Sequence, residues 1–456
     1  MKTFNRGWAL ALESEITISL VRKKDEGHKG RIAEKAGEAV PMRRTIARAQ
    51  ERLGIPMNPL TYLKERGLRR ALKVFWCFKL PRLQVSVVAR LTRGRPLEDK
   101  IVIESHNDFD CNGGALYDWL IENDCNERLK IVWRLYHDAP AGLPQNVSCV
   151  PVYGPSWRKA WAVCTARWLT ADCTVVDKVR DDQVAVYMTH GGFGLKNCHG
   201  MIAIPGTVDY VLSSSPSFDG WTRWVYEIES SDTELVHVGF PSLDRLYARR
   251  HSRRYRPDGQ SRKTILWMPT FRQAEDGIRA DSSGLYPYGV PLIRDEEALS
   301  RLASVLDLAD VRLVIKLHPK QNLSMLSGTI PKGIDFITGA SIKEQAFDNY
   351  DLMLDADAMI GDYSAAIYEY LVLDRPVAFV LSDLEEYRLG LVEHAERYMA
   401  GSKIYDFADL ERFIFEVANG TDSFKGERET LLDSLYEPAN GDSCEKVAAL
   451  LGVACS

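Results

Sequence analysis

At 456 residues the chain is long enough for two or three domains, each with a core of its own. Its hydrophobic share of 45% is that of an ordinary globular protein, and its net charge of -5 gives no sign of a nucleic-acid partner. The nine cysteines include no CxxC pair, which favours a reducing compartment and argues against a zinc site or a disulfide framework. No apolar run approaches the ~18–20 residues needed to span a bilayer, so we expect the protein on the cytoplasmic side.

Residues 1–98 are predicted to form a helical, basic extension. From Thr61 to Arg95 the single acidic residue is Glu65, against ten lysines and arginines. At about 100° per residue, the apolar and the basic side chains of this stretch fall on separate faces of a helix. This pattern is typical of a helix lying in an anionic membrane interface. Pro81 is expected to end or kink the helix. The alternative is a solvated basic helix that packs on its own protein. The side chains predicted to meet the membrane are Arg66, Arg69, Arg70, Lys73, Phe75 and Trp76.

From residue 99 onward, short apolar runs alternate with helical segments, which predicts parallel sheets with helices on both faces. We place one Rossmann-like domain at 99–240 and another at 241–456, whose C-terminal helices brace back onto the first. The predicted strands are Ile101–Ile103, Ile131–Leu135, Val147–Val150, Cys173–Val176, Ile265–Met268, Leu313–Leu317 and Val377–Val380, with short ones near Phe336 and Met359. The predicted helices are Ala115–Leu120, Trp157–Leu169, Glu296–Leu306, Ser364–Leu373, Phe407–Ala418 and Ser443–Leu451.

One strand-like run, Val184–Met188, closes on the sequence Thr189–His190–Gly191–Gly192. Paired glycines let the backbone take positive φ and approach a ligand closely. In open α/β sheets, ligands bind at the carboxyl ends of the strands, and this histidine lies at such an end. Taken alone, the segment is equally consistent with a β-turn that carries a surface histidine.

Three later apolar runs also close on polar clusters. They are Ile265–Arg272, which ends in Pro269–Thr270–Phe271–Arg272, then Leu313–Lys320, which contains Lys316–Leu317–His318–Pro319, and Ala358–Ala366, which contains Asp362–Tyr363–Ser364 and is followed by Glu369. In this order and spacing, the four motifs resemble the teichoic acid glycerophosphotransferases. That family uses CDP-glycerol and includes the poly(glycerol phosphate) polymerases and primases. The resemblance runs from about Lys100 to about Tyr387.

The resemblance implies an α/β protein of GT-B type, with an acceptor domain and a CDP-donor domain facing across a cleft. It implies transfer of glycerol phosphate, or a related polyol phosphate, from a CDP-activated donor to a hydroxyl of a lipid-linked or polymeric acceptor. CMP would be released, and the enzyme would be peripheral on the cytoplasmic face of the membrane. Two alternatives stay open: a CDP-ribitol phosphotransferase or GT-B glycosyltransferase of surface polysaccharide synthesis, and a non-catalytic nucleotide-binding partner.

The paired functional histidines of the family map onto His190 and His318. His190 is the better candidate for the base, because an imidazole titrates near the working pH and this one sits at the end of a strand beside glycines. The other residues predicted to bind the donor or its phosphates are Gly191, Gly192, Thr270, Arg272, Lys316, Asp362, Tyr363, Ser364 and Glu369. The resemblance assigns the nucleotide ribose to Glu369. No metal or cofactor is expected, since the cations can stabilise the leaving phosphate.

Two departures from the family pattern concern this site. His-Gly-Thr-Pro is common where this chain continues from Gly191 to Gly192 and Phe193, and Asp-Tyr-Ser-Ser is common where this chain has Ala365 in place of the second serine. The missing serine removes one hydroxyl that could reach a phosphate. These changes bear on the acceptor and on the identity of the polyol.

Overall fold

Two parallel β-sheets organise the molecule. The computed structural model describes residues 72, 75–228, 230, 232–250, 262–272, 281–284, 286–318, 321, 330–338, 348–436, 441–453 and 455. Within them one sheet has seven strands and the other has six, and every pair of neighbouring strands is parallel. The prediction of two parallel α/β units is therefore confirmed.

The first sheet has the strand order β3-β2-β1-β4-β5-β6-β7. Its strands are β1 (Glu98–Glu104), β2 (Lys130–Leu135), β3 (Val147–Pro151), β4 (Ala166–Ala171), β5 (Val184–Tyr187), β6 (Tyr210–Leu212) and β7 (Glu234–Val236). The helices of this half are α1 (Leu80–Thr92), α2 (Cys111–Glu122), α3 (Trp157–Thr165), α4 (Asp219–Val225) and α5 (Asp244–Arg249).

The second sheet has the order β10-β9-β8-β11-β12-β13. Its strands are β8 (Lys263–Trp267), β9 (Val311–Lys316), β10 (Ile334–Ile337), β11 (Ala358–Gly361), β12 (Val377–Val380) and β13 (Ser402–Ile404). The helices are α6 (Glu296–Leu308), α7 (Asn349–Asp355), α8 (Ala365–Tyr370), α9 (Phe407–Asn419), α10 (Lys425–Leu435) and α11 (Ser443–Leu451). Numbered from its own first strand, the second sheet reads 3-2-1-4-5-6, and the first sheet has the same order with a seventh strand added. This is the Rossmann order, whose ligand crevice lies where the order reverses, beside β1 and β4 or β8 and β11.

Both sheets are covered on both faces, which explains their continuous apolar strands. Ile101, Val102 and Ile103 of β1 are all fully buried, although neighbouring side chains point to opposite faces. One apolar cluster runs through both halves and joins Phe193 of the first to Tyr368 of the second, with ring centroids 4.8 Å apart. The two halves are therefore packed directly against each other.

The prediction for residues 157–176 is wrong in part. The helix α3 ends at Thr165, and Ala166–Ala171 forms β4, whereas a helix was expected to Leu169 and a strand at Cys173–Val176. The physical reason is tertiary, because β4 lies beside β1 in the sheet interior, with Leu169 opposite Val102. Burial there outweighs the helical pattern that continues from α3.

The described part of the N-terminal stretch packs on its own protein. Of the predicted membrane-facing residues, Arg66, Arg69, Arg70 and Lys73 lie outside the described residues. A short π-helical turn, Phe75–Lys79, changes to an α-helix at α1, with Pro81 in its first turn. Val88 packs on α3, and the Gln84 side chain accepts a hydrogen bond from the Ser156 N–H at 2.8 Å.

The C-terminal end of the chain returns to the first half. The helix α11 packs against α2, and a disulfide joins Cys125 to Cys455. The disulfide differs from the expectation drawn from cysteine spacing, because two cysteines 330 residues apart give no local pattern. The helix α9 instead packs on the second sheet through residues such as Phe413. Among the described helices, none combines the length and apolar character needed to cross a membrane.

Candidate active site

His190 lies just beyond β5, at the carboxyl edge of the first sheet. Its imidazole is exposed and lies 4.3 Å, centroid to centroid, from the ring of His106, which follows β1. The His190 Nδ1 is 3.7 Å from the Sγ of Cys111, the first residue of α2. Burial, reinforced by Asp110 and Asp172, raises the pKa of the Cys111 thiol well above its usual range. The thiol is therefore neutral beside the imidazole.

The glycines after His190 bring this loop against the second half. Gly191 has φ +71°, and a Cβ there would lie 2.9 Å from the Cβ of Ala365 at the start of α8. A Cβ on Gly194 would lie 3.2 Å from the Ala365 backbone nitrogen. A Cβ on Gly192 would clash with the Phe240 ring at 2.8 Å. A larger residue at Gly191 or Gly194 would therefore press on the second half, and one at Gly192 would press on Phe240 of the first half.

Backbone hydrogen bonds extend the same loop onto the second half. The Val392 N–H donates to the Leu195 carbonyl at 2.9 Å, and the Asn197 N–H donates to the Gly390 carbonyl at 3.2 Å. Phe193, which stands where the resembled family commonly has proline, is buried among aromatic rings from both halves, including Tyr368 and Tyr398. The loop that carries His190 is thus fastened to the second half on both sides of Phe193.

Arg272 lies at the centre of a closed network at the edge of the second sheet. Its Nε donates to Asp383 at 2.6 Å, its Nη2 reaches Asp362 at 2.8 Å, and its Nη1 donates to the Thr270 carbonyl at 2.7 Å. Asp362 also accepts the Thr270 N–H at 2.8 Å and the Thr270 hydroxyl. The Tyr363 hydroxyl donates to Asp383 at 3.2 Å.

All five residues of this network are buried. Burial lowers the pKa of Arg272, but Asp362 and Asp383 outweigh it, so the pKa is raised and the guanidinium is charged. The prediction that Thr270, Arg272, Asp362 and Tyr363 touch the donor stays a prediction. In this structure their side chains hold one another and join the ends of β8, β11 and β12.

Lys316, the last residue of β9, is directed towards the first half. Burial lowers its pKa, and Asp110 and Cys111 of the first half oppose that shift. Among the described residues no carboxylate lies within ion-pair distance of its Nζ. His318 follows two residues later, with its ring 5.6 Å from that of Phe271. Lys316 is therefore placed where a charged ligand between the halves would meet it.

Glu369, on α8, is a buried carboxyl group at the contact between the halves. Burial is the main cause that raises its pKa to about 7, Asp110 raises it further, and a hydrogen bond from the Tyr350 hydroxyl opposes the shift. The space that a Cβ on Gly191 would occupy lies 3.4 Å from the Glu369 Oε1. Ser364 precedes the helix and accepts a hydrogen bond from the Ala366 N–H at 3.4 Å, so its hydroxyl caps α8.

We expect Glu369→Gln to flatten the pH dependence of stability between about pH 4.5 and 7. The folded protein holds this proton more tightly than the unfolded chain, so the free energy of unfolding falls as the pH rises through that range. The fall is at most about 3 kcal/mol, and glutamine, which does not titrate, abolishes it. Denaturant unfolding at pH 5 and pH 8 measures it, with the exposed Glu385→Gln as a control. Equal losses in Glu369→Gln and the parent protein would contradict the shift.

Sequence patterns missed several residues of this site. His106 and Asp110 follow β1, and Asp383 follows β12, so each sits beyond the carboxyl end of a strand. That position was the available signal, because chemistry collects there in parallel sheets. The Glu369 neighbour Tyr350, on α7, gave no such signal. Its position near the site depends on how the two halves pack.

Comparison with known proteins identifies the family. Residues 87–452 match the model of the family described as CDP-Glycerol:Poly(glycerophosphate) glycerophosphotransferase. The chain belongs to this family. The resemblance seen in the four sequence motifs is therefore confirmed.

Individual relatives differ in how much of the chain they match. The teichoic acid ribitol-phosphate primase of Bacillus spizizenii is 26% identical over 41% of this chain and 44% of its own length. The teichoic acid glycerol-phosphate primase of Bacillus subtilis is 27% identical over 39% of this chain and 42% of its own length. This chain thus spans less than half the length of these two relatives. A Bacillus spizizenii teichoic acid poly(glycerol phosphate) polymerase matches more widely, at 22% identity over 80% of this chain and 96% of its own length.

The fold has solved counterparts. The structure of the wall teichoic acid polymerase TagF is similar with a TM-score of 0.62 at 17% identity, over 87% of this chain and 98% of that one. A TagF variant soaked with CDPG gives a TM-score of 0.64 at 16% identity, over 86% of this chain and 95% of that one. At this identity the likeness establishes a shared architecture.

Proposed function

We propose that this protein transfers glycerol phosphate, or a related polyol phosphate, from a CDP-activated donor to an acceptor hydroxyl, releasing CMP. The observation that carries the proposal is the contact of the His190 loop with α8 of the other half, where a Cβ on Gly191 would lie 3.4 Å from the Glu369 Oε1. Lys316 is near the same place, because Asp110 and Cys111 both affect its pKa and the Cys111 Sγ lies 3.7 Å from the His190 Nδ1. Family membership supplies the chemical class. The proposal places the donor in a GT-B cleft between the facing halves.

His190 is the base in this scheme. The acceptor oxygen attacks the phosphorus that carries the polyol, the bond from that phosphorus to the bridging oxygen breaks, and CMP leaves with that oxygen. The acceptor proton passes to His190, whose Nδ1 faces the Cys111 thiol, so we assign Nε2 to the transfer. Lys316 and His318 stabilise the charge on the pyrophosphate, and Glu369 binds the nucleotide ribose. Gly191 and Gly192 let this loop approach the donor.

The buried network has an indirect part in this scheme. Thr270, Arg272, Asp362 and Tyr363 hold the strand ends from which the donor is reached. Ser364, whose hydroxyl caps α8, is proposed to donate that hydroxyl to a phosphate of the donor. No cofactor or metal enters the scheme, because the side chains named here carry out the proton transfer and the charge stabilisation.

Ribitol phosphate is the second candidate for the transferred group. The specific observation is that relatives matching this chain include a ribitol-phosphate primase as well as glycerol-phosphate enzymes, at similar identities of 26–27%. The acceptor in both cases is a lipid-linked or polymeric hydroxyl of a teichoic-acid-like wall or capsule polymer.

The test is incubation with CDP-glycerol, CDP-ribitol and UDP-sugars, each with and without a polyol-phosphate acceptor. We expect acceptor-dependent release of CMP from one CDP-polyol. Release of UDP would favour the glycosyltransferase alternative. Tight CDP-polyol binding without any turnover would favour a non-catalytic nucleotide-binding partner.

We also propose an anionic membrane surface as the docking site, which places the protein on the cytoplasmic face. Exposed apolar side chains cluster on the N-terminal segment and α3, and charged Arg82, Arg90 and Arg93 are exposed beside them. Gly154 lies just before α3, and a Cβ there would be 3.7 Å from the Trp76 Nε1. The exposed apolar residues of the N-terminal segment are therefore close to those of α3. The clustered apolar residues are Leu72, Phe75, Trp76, Leu83, Leu91, Trp157 and Trp161.

Vesicle binding tests this surface. We expect co-sedimentation with phosphatidylglycerol vesicles that high salt weakens without abolishing, because ionic attraction is screened whereas apolar insertion is not. Changing Arg66, Arg69, Arg70 and Lys73 together to Glu, or Trp76 and Trp157 together to Ser, should release the protein. Leu308→Ser, at a 78% exposed site in the second half, is the matched control. Equal pelleting of all variants would mean that the segment packs only on its own protein.

A further inference from the structure

The backbone just before His190 is held in an unfavourable conformation. Thr189 has φ +59°, in the left-handed region that β-branched residues rarely adopt. It is also 1% exposed, so solvent contributes nothing to holding it. Residues in such conformations persist only where their surroundings impose them, and they collect at functional sites. Some group must therefore hold Thr189 in place.

One such group is the Tyr226 hydroxyl, which bonds with the Thr189 side chain and the His190 backbone, and the other is the side chain of Asn112, the second residue of α2. Its Nδ2 donates to the carbonyl oxygens of both Met188 and Thr189, each at 3.0 Å. Its Oδ1 accepts the N–H of Ser242, also at 3.0 Å. Because a backbone N–H can only donate, this last bond fixes which end of the amide faces the two carbonyls. Asn112 is 1% exposed, so these bonds are shielded from water.

The preceding residue, Cys111, contacts the same histidine directly. Cys111 places its Sγ 3.7 Å from the His190 Nδ1, while Asn112 holds the two carbonyls that lead into His190. Ser242 belongs to the segment that leads to α5 and on towards the second half. The start of α2 therefore ties together the loop of the candidate base and the connection between the halves.

We propose that Asn112 is a positioning residue, which keeps Thr189 in its left-handed conformation and thereby aims the His190 imidazole at the second half. This inference rests on the proposed function only in giving His190 the role of the base. The hydrogen bonds of the Asn112 side chain go to backbone groups of this chain, so it acts on the position of His190 and not on the donor. Losing it should lower turnover and leave donor affinity unchanged.

The test compares Asn112→Ala, Thr189→Gly and the double variant. Asn112→Ala should lower the rate of CMP release about tenfold or more, leave the Kd for the CDP-polyol within about twofold, and speed hydrogen exchange at residues 188–191. Thr189→Gly should restore most of the lost rate in the double variant, because glycine takes positive φ without strain. If Asn112 were only a general stabilising residue, glycine would weaken the fold further by adding freedom to the unfolded chain.

Each outcome decides the proposal. Unchanged exchange at residues 188–191 in Asn112→Ala would overturn it, as would a double variant slower than Asn112→Ala. If Asn112→Ala fails to fold alone, the comparison is made in the Thr189→Gly background, where removing Asn112 should cost less than about threefold. A tenfold loss there would also overturn it. An inactive parent protein would defeat the proposed function only, because hydrogen exchange reports the positioning without turnover.

Discussion

His190→Asn is expected to lower CMP release by about 10²–10⁴-fold, the usual contribution of a positioned general base. The substitution removes the group that takes the acceptor proton, while the exposed side chain makes little difference to the core. We therefore expect a nearly unchanged melting temperature and a nearly unchanged Kd for the CDP-polyol. The measurement is steady-state release of CMP with a saturating acceptor, alongside calorimetry of donor binding.

The matched control is His394→Asn, at an exposed histidine of the second half. Asparagine tolerates the positive φ of 56° found there, so the control tests the chemistry of the substitution and not a change of backbone. The control should turn over like the parent protein. A His190→Asn enzyme with parental turnover would show that another group takes the proton, and His106, whose ring neighbours it, would be examined next.

Arg272→Ala is expected to have the largest effect on stability, about 3–5 kcal/mol in the free energy of unfolding. The substitution leaves Asp362 and Asp383 buried without their cation, and desolvated unpaired carboxylates are costly. Denaturant unfolding at pH 7 measures the loss. As the pH is lowered, part of the loss should be recovered, because protonation removes the uncompensated charge.

The matched control for Arg272 is Arg312→Ala. Arg312 also makes an ion pair at 2.6 Å, with Asp335, but both side chains are about half exposed. Solvent-exposed pairs contribute little, so this change should cost less than about 1 kcal/mol. Similar losses for the two arginines would mean that the buried network is not what holds the strand ends together.

The fold and the family were within reach of the sequence, for identifiable reasons. Continuous apolar runs such as Leu313–Leu317 have the composition of strands buried on both faces, and β9 lies there. All strands of a parallel sheet end at the same edge, so motifs that follow such runs lie at that edge regardless of the structure of the rest of the chain. Local pattern failed at Ala166–Ala171, where the choice between helix and strand depends on the neighbouring strand β1.

The partners within the site were beyond local pattern. Arg272 could be recognised from its motif as a cation of the site. Its carboxylate partner Asp383 lies 111 positions away and belongs to no motif. The proximity of Asp110 to Lys316 likewise depends on how the two sheets are packed together. Sequence order shows which residues lie at an edge, whereas the docking of the halves decides which edges meet.

The fastening of the His190 loop to the second half has a mechanical consequence. Phe193 and the backbone pairing of residues 195–197 with 390–392 attach this loop to the half that carries Lys316 and Glu369. His190 lies between this attachment and the hydrogen bonds that Asn112 of the first half makes to Met188 and Thr189, so a movement between the halves would be taken up at the base itself. The distance from base to phosphate would therefore depend on how closely the two halves are packed.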